Sequence, residues 1–337
     1  MSGHAHPRNW VSVTPKRGRG TGVTAELALY GRDLFGDPIE PPGRSKMSNE
    51  FLVPPFSIIS AREGWWQERK RAWLSYGIES EVGRDAAVGG SKMVAGYDED
   101  GTRKTGMVTE SDASVFDPVL CELIYRWFSQ EGGQVVDPFA GGSVRGVVAS
   151  ILGRDYWGSE LRPEQVSANR IQGEEITPDS PPTWVCGDSL ETMSDSKPPR
   201  ADLVFSCPPY GDLEKYSDDP RDLSAQEYHT FIANYKRIIL RCYNALKQNR
   251  FACFVVGEFR DKRGHYRNFV GDTISAFQEV GFGYYNEGIL VTPTGSLPMR
   301  AGKQFKASRK WGKGHQNILV FVKGSGKIAT EEIGQIE

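Results

Sequence analysis

Gln134-Val135-Val136-Asp137-Pro138-Phe139-Ala140-Gly141-Gly142-Ser143 is the stretch on which the fold turns. A short apolar run ends in an acid, then passes through a proline and two glycines. That pattern predicts a buried strand whose carboxyl end turns tightly into a helix and lets a ligand approach the backbone. The glycine pair alone is equally compatible with an ordinary strand-to-helix turn. Just upstream, Val119, Leu120, Leu123, Ile124, Trp127 and Phe128 recur at helical spacing, and Gly132-Gly133 stops that helix.

Downstream the alternation continues. Tyr156-Trp157-Gly158, Thr183–Cys186 and Leu203–Phe205 have the composition of short strands. Ser224-Ala225-Gln226-Glu227 has the form of a capping box opening a helix through Leu246. Phe251–Gly257 predicts a buried strand, and Phe269–Val280 a helix closed by Gly281. Ile289–Thr292 and Ile318–Val322 are expected to be the arms of a hairpin around a long polar loop. Strands alternating with helices predict an α/β fold with a mostly parallel sheet and helices on both faces.

The chain of 337 residues suits one catalytic domain plus extensions. Four divisions follow from composition: a mobile or loosely packed arm over 1–50, an extension over 51–113, the regular domain over 114–325, and a tail over 326–337. Lys and Arg number 41 against 43 Asp and Glu, a net charge of -2, which excludes a globally basic nucleic-acid coat protein. Five cysteines without a CxxC pair suggest reduced thiols and no metal site; His229 and His265 fit structural or surface roles. No apolar run is long enough to span a membrane, so a soluble, cytoplasmic protein is expected.

Three acids fall after successive strands: Asp137, then Glu160 at 23 residues further on, then Asp188 in Cys186-Gly187-Asp188-Ser189. The second offset is close to the roughly 20 residues at which an acid meets ribose hydroxyls in nucleotide-binding sheets. Asp188 is a candidate acceptor for an adenine amino group. Each acid alone would pass for a surface residue; the series would not.

A fourth strand runs into Ser206-Cys207-Pro208-Pro209-Tyr210. Two prolines stiffen the backbone and remove two N–H donors, while their carbonyls stay free to accept. Tyr210 adds a flat face on which a base can stack. Together these suit a base bearing an amino group that has been drawn out of a duplex.

From about Phe116 to Lys323, some two-thirds of its length, the chain resembles the amino-methyltransferases of DNA, especially phage-borne forms, which make N4-methylcytosine or N6-methyladenine. Asp137–Gly142 matches the family's DPFxG motif, and Ser206–Tyr210 resembles its (D/N/S)PPY motif. The resemblance implies a Rossmann-like sheet of seven strands with the last antiparallel, S-adenosylmethionine as cofactor, and base flipping from double-stranded DNA. By the same analogy Asp137, Pro138, Phe139, Ala140, Gly141 and Gly142 form the cofactor loop, Phe139 flanking the adenine or methionine part. Glu160 would hold the ribose and Asp188 the adenine.

Where the family has Asp, Asn or Ser before Pro-Pro, this chain has Cys207, a poor acceptor. Ser206, Asp212 or Glu214 would then take over, or the Pro208 carbonyl would carry more of the orientation. N4 of cytosine is placed ahead of N6 of adenine as the target. Alternatives are a carbon-5 methyltransferase with Cys207 as nucleophile, an enzyme acting on RNA or a free nucleotide, and a silent DNA-binding protein of the same fold.

Between Thr292 and Lys323 there is no acidic residue. Arg300, Lys303, Lys306, Arg309, Lys310 and Lys313, within a loop over 292–317, are candidate phosphate contacts. The stretch Trp65–Trp73, with Arg62, Arg69, Lys70 and Arg71, either contacts DNA or packs the extension onto the core.

Overall fold

A computed structural model of the chain describes residues 46–79, 92–97, 103–108, 116–194, 198–211, 219, 221–295 and 297–336. The arm over 1–45 and Asp212 and Glu214 lie outside the described residues. In chain order the elements begin with α1 (Lys46–Phe51), β1 (Ile58–Ser60), α2 (Gly64–Leu74), β2 (Lys92–Tyr97), β3 (Arg103–Val108), α3 (Pro118–Phe128) and β4 (Gln134–Asp137). They continue with α4 (Val144–Ile151), β5 (Asp155–Glu160), α5 (Pro163–Ile176), β6 (Thr183–Cys186), α6 (Ser189–Thr192), β7 (Ala201–Ser206) and α7 (Tyr228–Ala245). The last are β8 (Leu246–Val256), α8 (Phe269–Val280), β9 (Gly283–Val291), α9 (Leu297–Ser308), β10 (His315–Lys323) and α10 (Gly326–Ile333).

Eight strands form one sheet in the order β1-β9-β10-β8-β7-β4-β5-β6, and β2 and β3 pair separately as an antiparallel hairpin. From β8 to β6 every pairing is parallel, while β10 runs antiparallel to both β8 and β9. This is the Rossmann-like sheet with a reversed last strand, enlarged from seven strands to eight. Strands β7 and β8 lie in its middle with Leu203, Val204, Phe205 and Ala252–Val256 fully buried. Helices cover both faces there, so these strands read as continuous apolar runs rather than alternating ones.

The eighth strand comes from the extension. Ile58, Ile59 and Ser60 pair in parallel with Ile289, Leu290 and Val291. The following α2 packs on α3, which starts at Pro118 under an Asp117 cap accepting from the Val119 amide. Trp66 and Trp73 are fully buried. Their indole N–H groups donate to Asp117 (3.1 Å) and Glu122 (2.8 Å). The Arg69 Nε donates to Glu122 at 2.6 Å, and Arg126 reaches the same carboxylate at 3.0 Å. The aromatic and basic stretch is thus an internal clamp, because Trp66, Arg69 and Trp73 lie inside while Trp65 is half-buried.

Three local expectations are corrected. The long polar loop between β9 and β10 contains the twelve-residue helix α9. Ser224 is not a helix cap: Asp222 caps a short 3-10 turn there, Ser224 donates to Asp222 at 2.7 Å, and α7 opens after Glu227. The tail over 326–337 carries α10, tied to β8 by an ion pair between Glu332 and Arg250. Among the described residues no helix is long and apolar enough to cross a membrane.

Burial alone would raise the Glu122 carboxyl's pKa, but Arg69, Arg126 and Trp73 outweigh it and hold it below the ordinary value. Glu122→Ala leaves Arg69 buried without its counter-charge, so urea unfolding should show a loss of about 3–5 kcal/mol. In the wild type this contribution is present at neutral pH and fades as acidification passes through the lowered folded pKa. A loss below about 1 kcal/mol would show that the extension is not clamped through this carboxylate.

Candidate functional site

The carboxyl ends of β4, β5, β6 and β7 open onto one cavity of about 540 Å³. That size suits a ligand of nucleoside dimensions or larger. Its walls bring together Pro138, Phe139, Gly141 and Gly142 from the first motif, Glu160, Asp188, and Cys207, Pro208, Pro209 and Tyr210 from the second. Residues separated by up to 72 positions in sequence therefore meet because adjacent parallel strands end at the same edge.

The motif loop is held from below. Asp137 is fully buried and does not line the cavity. Its Oδ2 accepts from the Arg145 Nε at 2.5 Å and the Tyr156 hydroxyl at 2.8 Å. Its Oδ1 accepts from the Phe139 amide at 3.0 Å and the Ser206 hydroxyl at 2.5 Å. Arg145 also donates to the carbonyls of Phe139 and Ala140, the latter at 2.9 Å. Burial alone would weaken the guanidinium's hold on its proton, but the Asp137 charge more than reverses this. Burial and then the same charge push the Tyr156 hydroxyl well above its ordinary pKa, so it stays a neutral donor.

Two sequence assignments change as a result. Asp137 is a support for the loop rather than a ligand-facing acid, since its oxygens are taken by four donors. Ser206, also fully buried, spends its hydroxyl on Asp137 and is not placed to accept from a substrate amine. Ala140 is likewise fully buried, its amide bonded to the Ser159 carbonyl.

Above this support the loop faces the cavity. Gly141 has φ 53°, a left-handed conformation that favours glycine. Its amide donates to Glu160 Oε2 at 3.0 Å, and Glu160 Oε1 accepts from the Arg162 amide and Nε at 3.0 and 3.2 Å. Asp188 caps α6, its Oδ1 accepting from the Leu190 amide at 2.9 Å. Its Oδ2 has no protein partner among the described residues. Ser189 ties this cap back to the Pro138 carbonyl. Both acids thus stand on the cavity wall in fixed orientations.

At the second motif Pro208 is buried, and Cys207, Pro209 and Tyr210 are half-buried. The Tyr210 ring meets Phe259 and Phe269 edge-on at 6.4 and 6.3 Å, and Gln316 donates to its hydroxyl at 3.1 Å. The aromatic face is thereby fixed by β10 and α8 before any ligand arrives.

Sequence reasoning missed Arg145, Phe116, Asp117 and Gln316, and named Lys70 only as a possible DNA contact or packing residue. A signal for Arg145 was present: a cation in the first turn of a helix opposes the helix dipole and so requires a nearby anion. Lys70, Phe116 and Asp117 also line the cavity, with Lys70 3.3 Å from Asp117 and the Arg145 guanidinium 4.6 Å from the Phe116 ring centre. Their convergence depends on the docking of the extension, which no local pattern encodes.

The six basic candidates lie apart from the cavity walls. Arg300, Lys303 and Lys306 are exposed on α9, Arg309 is exposed just beyond it, and Lys310 and Lys313 are half-buried in the irregular segment that leads to β10. Burial lowers the Lys313 pKa, and Glu258 partly restores it. Thr292 and Pro293, at the foot of this insertion, and Gln316 at its end do line the cavity. Among the described residues no cluster of His, Cys, Asp and Glu is arranged to hold a metal ion.

No family profile matches the sequence, and no curated protein is similar to it. Solved structures with a related layout include TrmN from Thermus thermophilus, at 14% identity and TM-score 0.41, covering 62% of this chain and 49% of that one. Another is magnesium protoporphyrin IX methyltransferase from Synechocystis PCC 6803 with bound SAM, at 13% identity and TM-score 0.41, covering 61% and 79%. A third is a putative RNA methyltransferase from Pyrococcus horikoshii, at 20% identity and TM-score 0.40, covering 61% and 82%. The chain spans about half the length of the first. Likeness at this level bears on neither substrate nor activity.

Replacing Arg145 by Met should strand the buried Asp137 charge and free two loop carbonyls. Chemical denaturation should then show a loss of about 3–5 kcal/mol. A loss under about 1 kcal/mol would mean that the motif loop does not depend on this pair.

Proposed function

We propose that the chain is an S-adenosylmethionine-dependent methyltransferase that modifies the exocyclic amino group of a base drawn out of double-stranded DNA, N4 of cytosine ahead of N6 of adenine. The observation that carries this is the joining of two kinds of wall in one cavity: acids at successive strand ends on one side, and Cys207–Tyr210 on the other.

The residues present fit the cofactor. Glu160, fixed by Gly141 and Arg162, suits ribose hydroxyls; Asp188, whose Oδ2 has no protein partner among the described residues, suits an adenine amino group. Phe139, Gly141 and Gly142 bring apolar surface and bare backbone to the same place. Lys70 and Asp117, a cation beside an anion, match the charges of the cofactor's amino-acid end. When bound, the cofactor supplies a methyl group on a sulfonium, electrophilic enough for direct transfer to a weakly nucleophilic amine.

The chain's own work is then positioning. The Pro208 carbonyl accepts a hydrogen bond from the target amine, and the fixed Tyr210 ring stacks the base, so that the amine lone pair is presented without further reorganisation. With Ser206 committed to Asp137, the proline carbonyl carries the orientation that Asp, Asn or Ser supplies in the related motif. The basic side chains around α9 serve the phosphates of the duplex.

A second reading rests on Cys207, which lines the cavity and would be the nucleophile in carbon-5 methylation of a pyrimidine. The two chemistries separate at this residue. Under amino transfer, Cys207→Ser keeps methyl incorporation from labelled S-adenosylmethionine into unmodified duplex DNA within about fivefold of wild type, because serine is nearly isosteric and a better acceptor. Under carbon-5 transfer the serine variant is inactive, and wild type forms a denaturation-resistant adduct with 5-fluorocytosine DNA. An inactive serine variant that still binds S-adenosylhomocysteine by calorimetry, together with that adduct, would overturn the amino-transfer reading.

A further inference from the structure

Trp311 is 79% exposed, more than any other large apolar side chain among the described residues, and it sits in the sequence Arg309-Lys310-Trp311-Gly312-Lys313-Gly314. An aromatic ring left in water costs stability that burial would recover, so a persistent exposed indole in a cationic setting points to a partner that is flat, apolar in part and negatively charged in part. Stacked bases within a phosphate backbone have that chemistry.

The backbone on both sides of the indole is closely packed. At Gly312 an added side chain would collide with Leu297, 2.4 Å from the position its Cβ would take, so the segment lies pressed against the start of α9. At Gly314 the nearest atom to such a Cβ is Arg62 Nη2 at 3.2 Å, and the Arg62 Nε donates to the Thr292 carbonyl at 2.8 Å. The Lys310 ammonium occupies the space where a side chain at Gly264 would go, so the segment lies beside the turn after β8. The Trp311 indole projects into solvent from this packed run, beside the exposed Arg309.

The same run reaches the candidate base site. A Cβ at Gly257 would lie 3.6 Å from Cε1 of Tyr210 and 3.8 Å from Cε of Lys313, so Lys313 and the Tyr210 ring flank one gap. Trp311 is two residues before Lys313, a backbone span of at most about 7 Å. Gln316, three residues after Lys313, holds the Tyr210 hydroxyl. The exposed ring thus belongs to a residue two positions from Lys313, whose side chain lies across that gap from the Tyr210 ring on the cavity wall.

From this geometry, and resting on the DNA reading above, we propose that Trp311 is the wedge that enters the base stack and fills the place vacated by the target base. Withdrawal of a base leaves an unstacked gap, and an apolar side chain inserted there offsets the lost stacking. Met299, 75% exposed, lies in the first turn of α9 without such a link to Tyr210 and is not assigned this role.

The test uses the full chain. Methylated positions are first mapped on unmodified duplex DNA of mixed sequence. Short duplexes carrying the mapped site are then made with the target base normally paired or opposite an abasic position. For Trp311→Ala, single-turnover methylation of the paired duplex should fall at least about tenfold, while the loss on the abasic duplex should be within about twofold, because extrusion there is already easy. Trp311→Phe should stay within about threefold of wild type on both, since a flat ring is retained. S-adenosylhomocysteine affinity should be the same in all three proteins. An alanine variant as active as wild type on the paired duplex, as expected if the indole docks a protein instead, would overturn the wedge, and so would equal losses on the two duplexes. A wild-type chain that binds S-adenosylhomocysteine yet methylates no DNA would overturn the DNA reading itself and the wedge with it.

Discussion

The buried pair of Asp137 and Arg145 is the constraint on which the site depends. One carboxylate gathers the Arg145 guanidinium, the Tyr156 and Ser206 hydroxyls and the Phe139 amide, drawing together β4, α4, β5 and β7. Such a charge is tolerated in the interior because every oxygen is satisfied. Arg145 extends the network to the two loop carbonyls. The first motif and the strand that leads into the second are therefore fixed to a single point, and the cavity between them has a defined shape without a ligand to organise it.

Much of the fold was legible because its signals are local. The run Gln134–Ser143, the helix ending before Gly132-Gly133, and the apolar strand expected over Phe251–Gly257 each carry their own periodicity or punctuation; the first two are found where expected, and the strand starts earlier, spanning Leu246–Val256. The eighth strand was not legible: Ile58–Ser60 is three residues long, and its partner Ile289–Val291 lies more than 200 positions away. The helix α9 was hidden by its polar composition, and none of its residues is buried.

The site was legible by position more than by role. Spacing placed Glu160 and Asp188 on a common edge, and both line the cavity. The same logic assigned Asp137 to a ligand, but a strand-end acid with a cation eight residues later in the next helix is satisfied from within. Likewise, the tryptophans and Arg69 of α2 had the composition of a nucleic-acid patch. The burial of Arg69 and Trp73 around Glu122 shows that an Arg beside aromatics is equally the chemistry of an internal clamp. Pattern gives the residue type at an edge; the partner across the edge decides what it does.

The central claim is methyl transfer to an amino group in DNA, and nucleoside mass spectrometry tests it most directly. Unmodified duplex DNA is incubated with the chain and methyl-labelled S-adenosylmethionine, then digested to nucleosides. The account predicts label in N4-methyldeoxycytidine or, as the second choice, N6-methyldeoxyadenosine. Label found in 5-methyldeoxycytidine, or in no deoxynucleoside while RNA treated alongside becomes labelled, would contradict it.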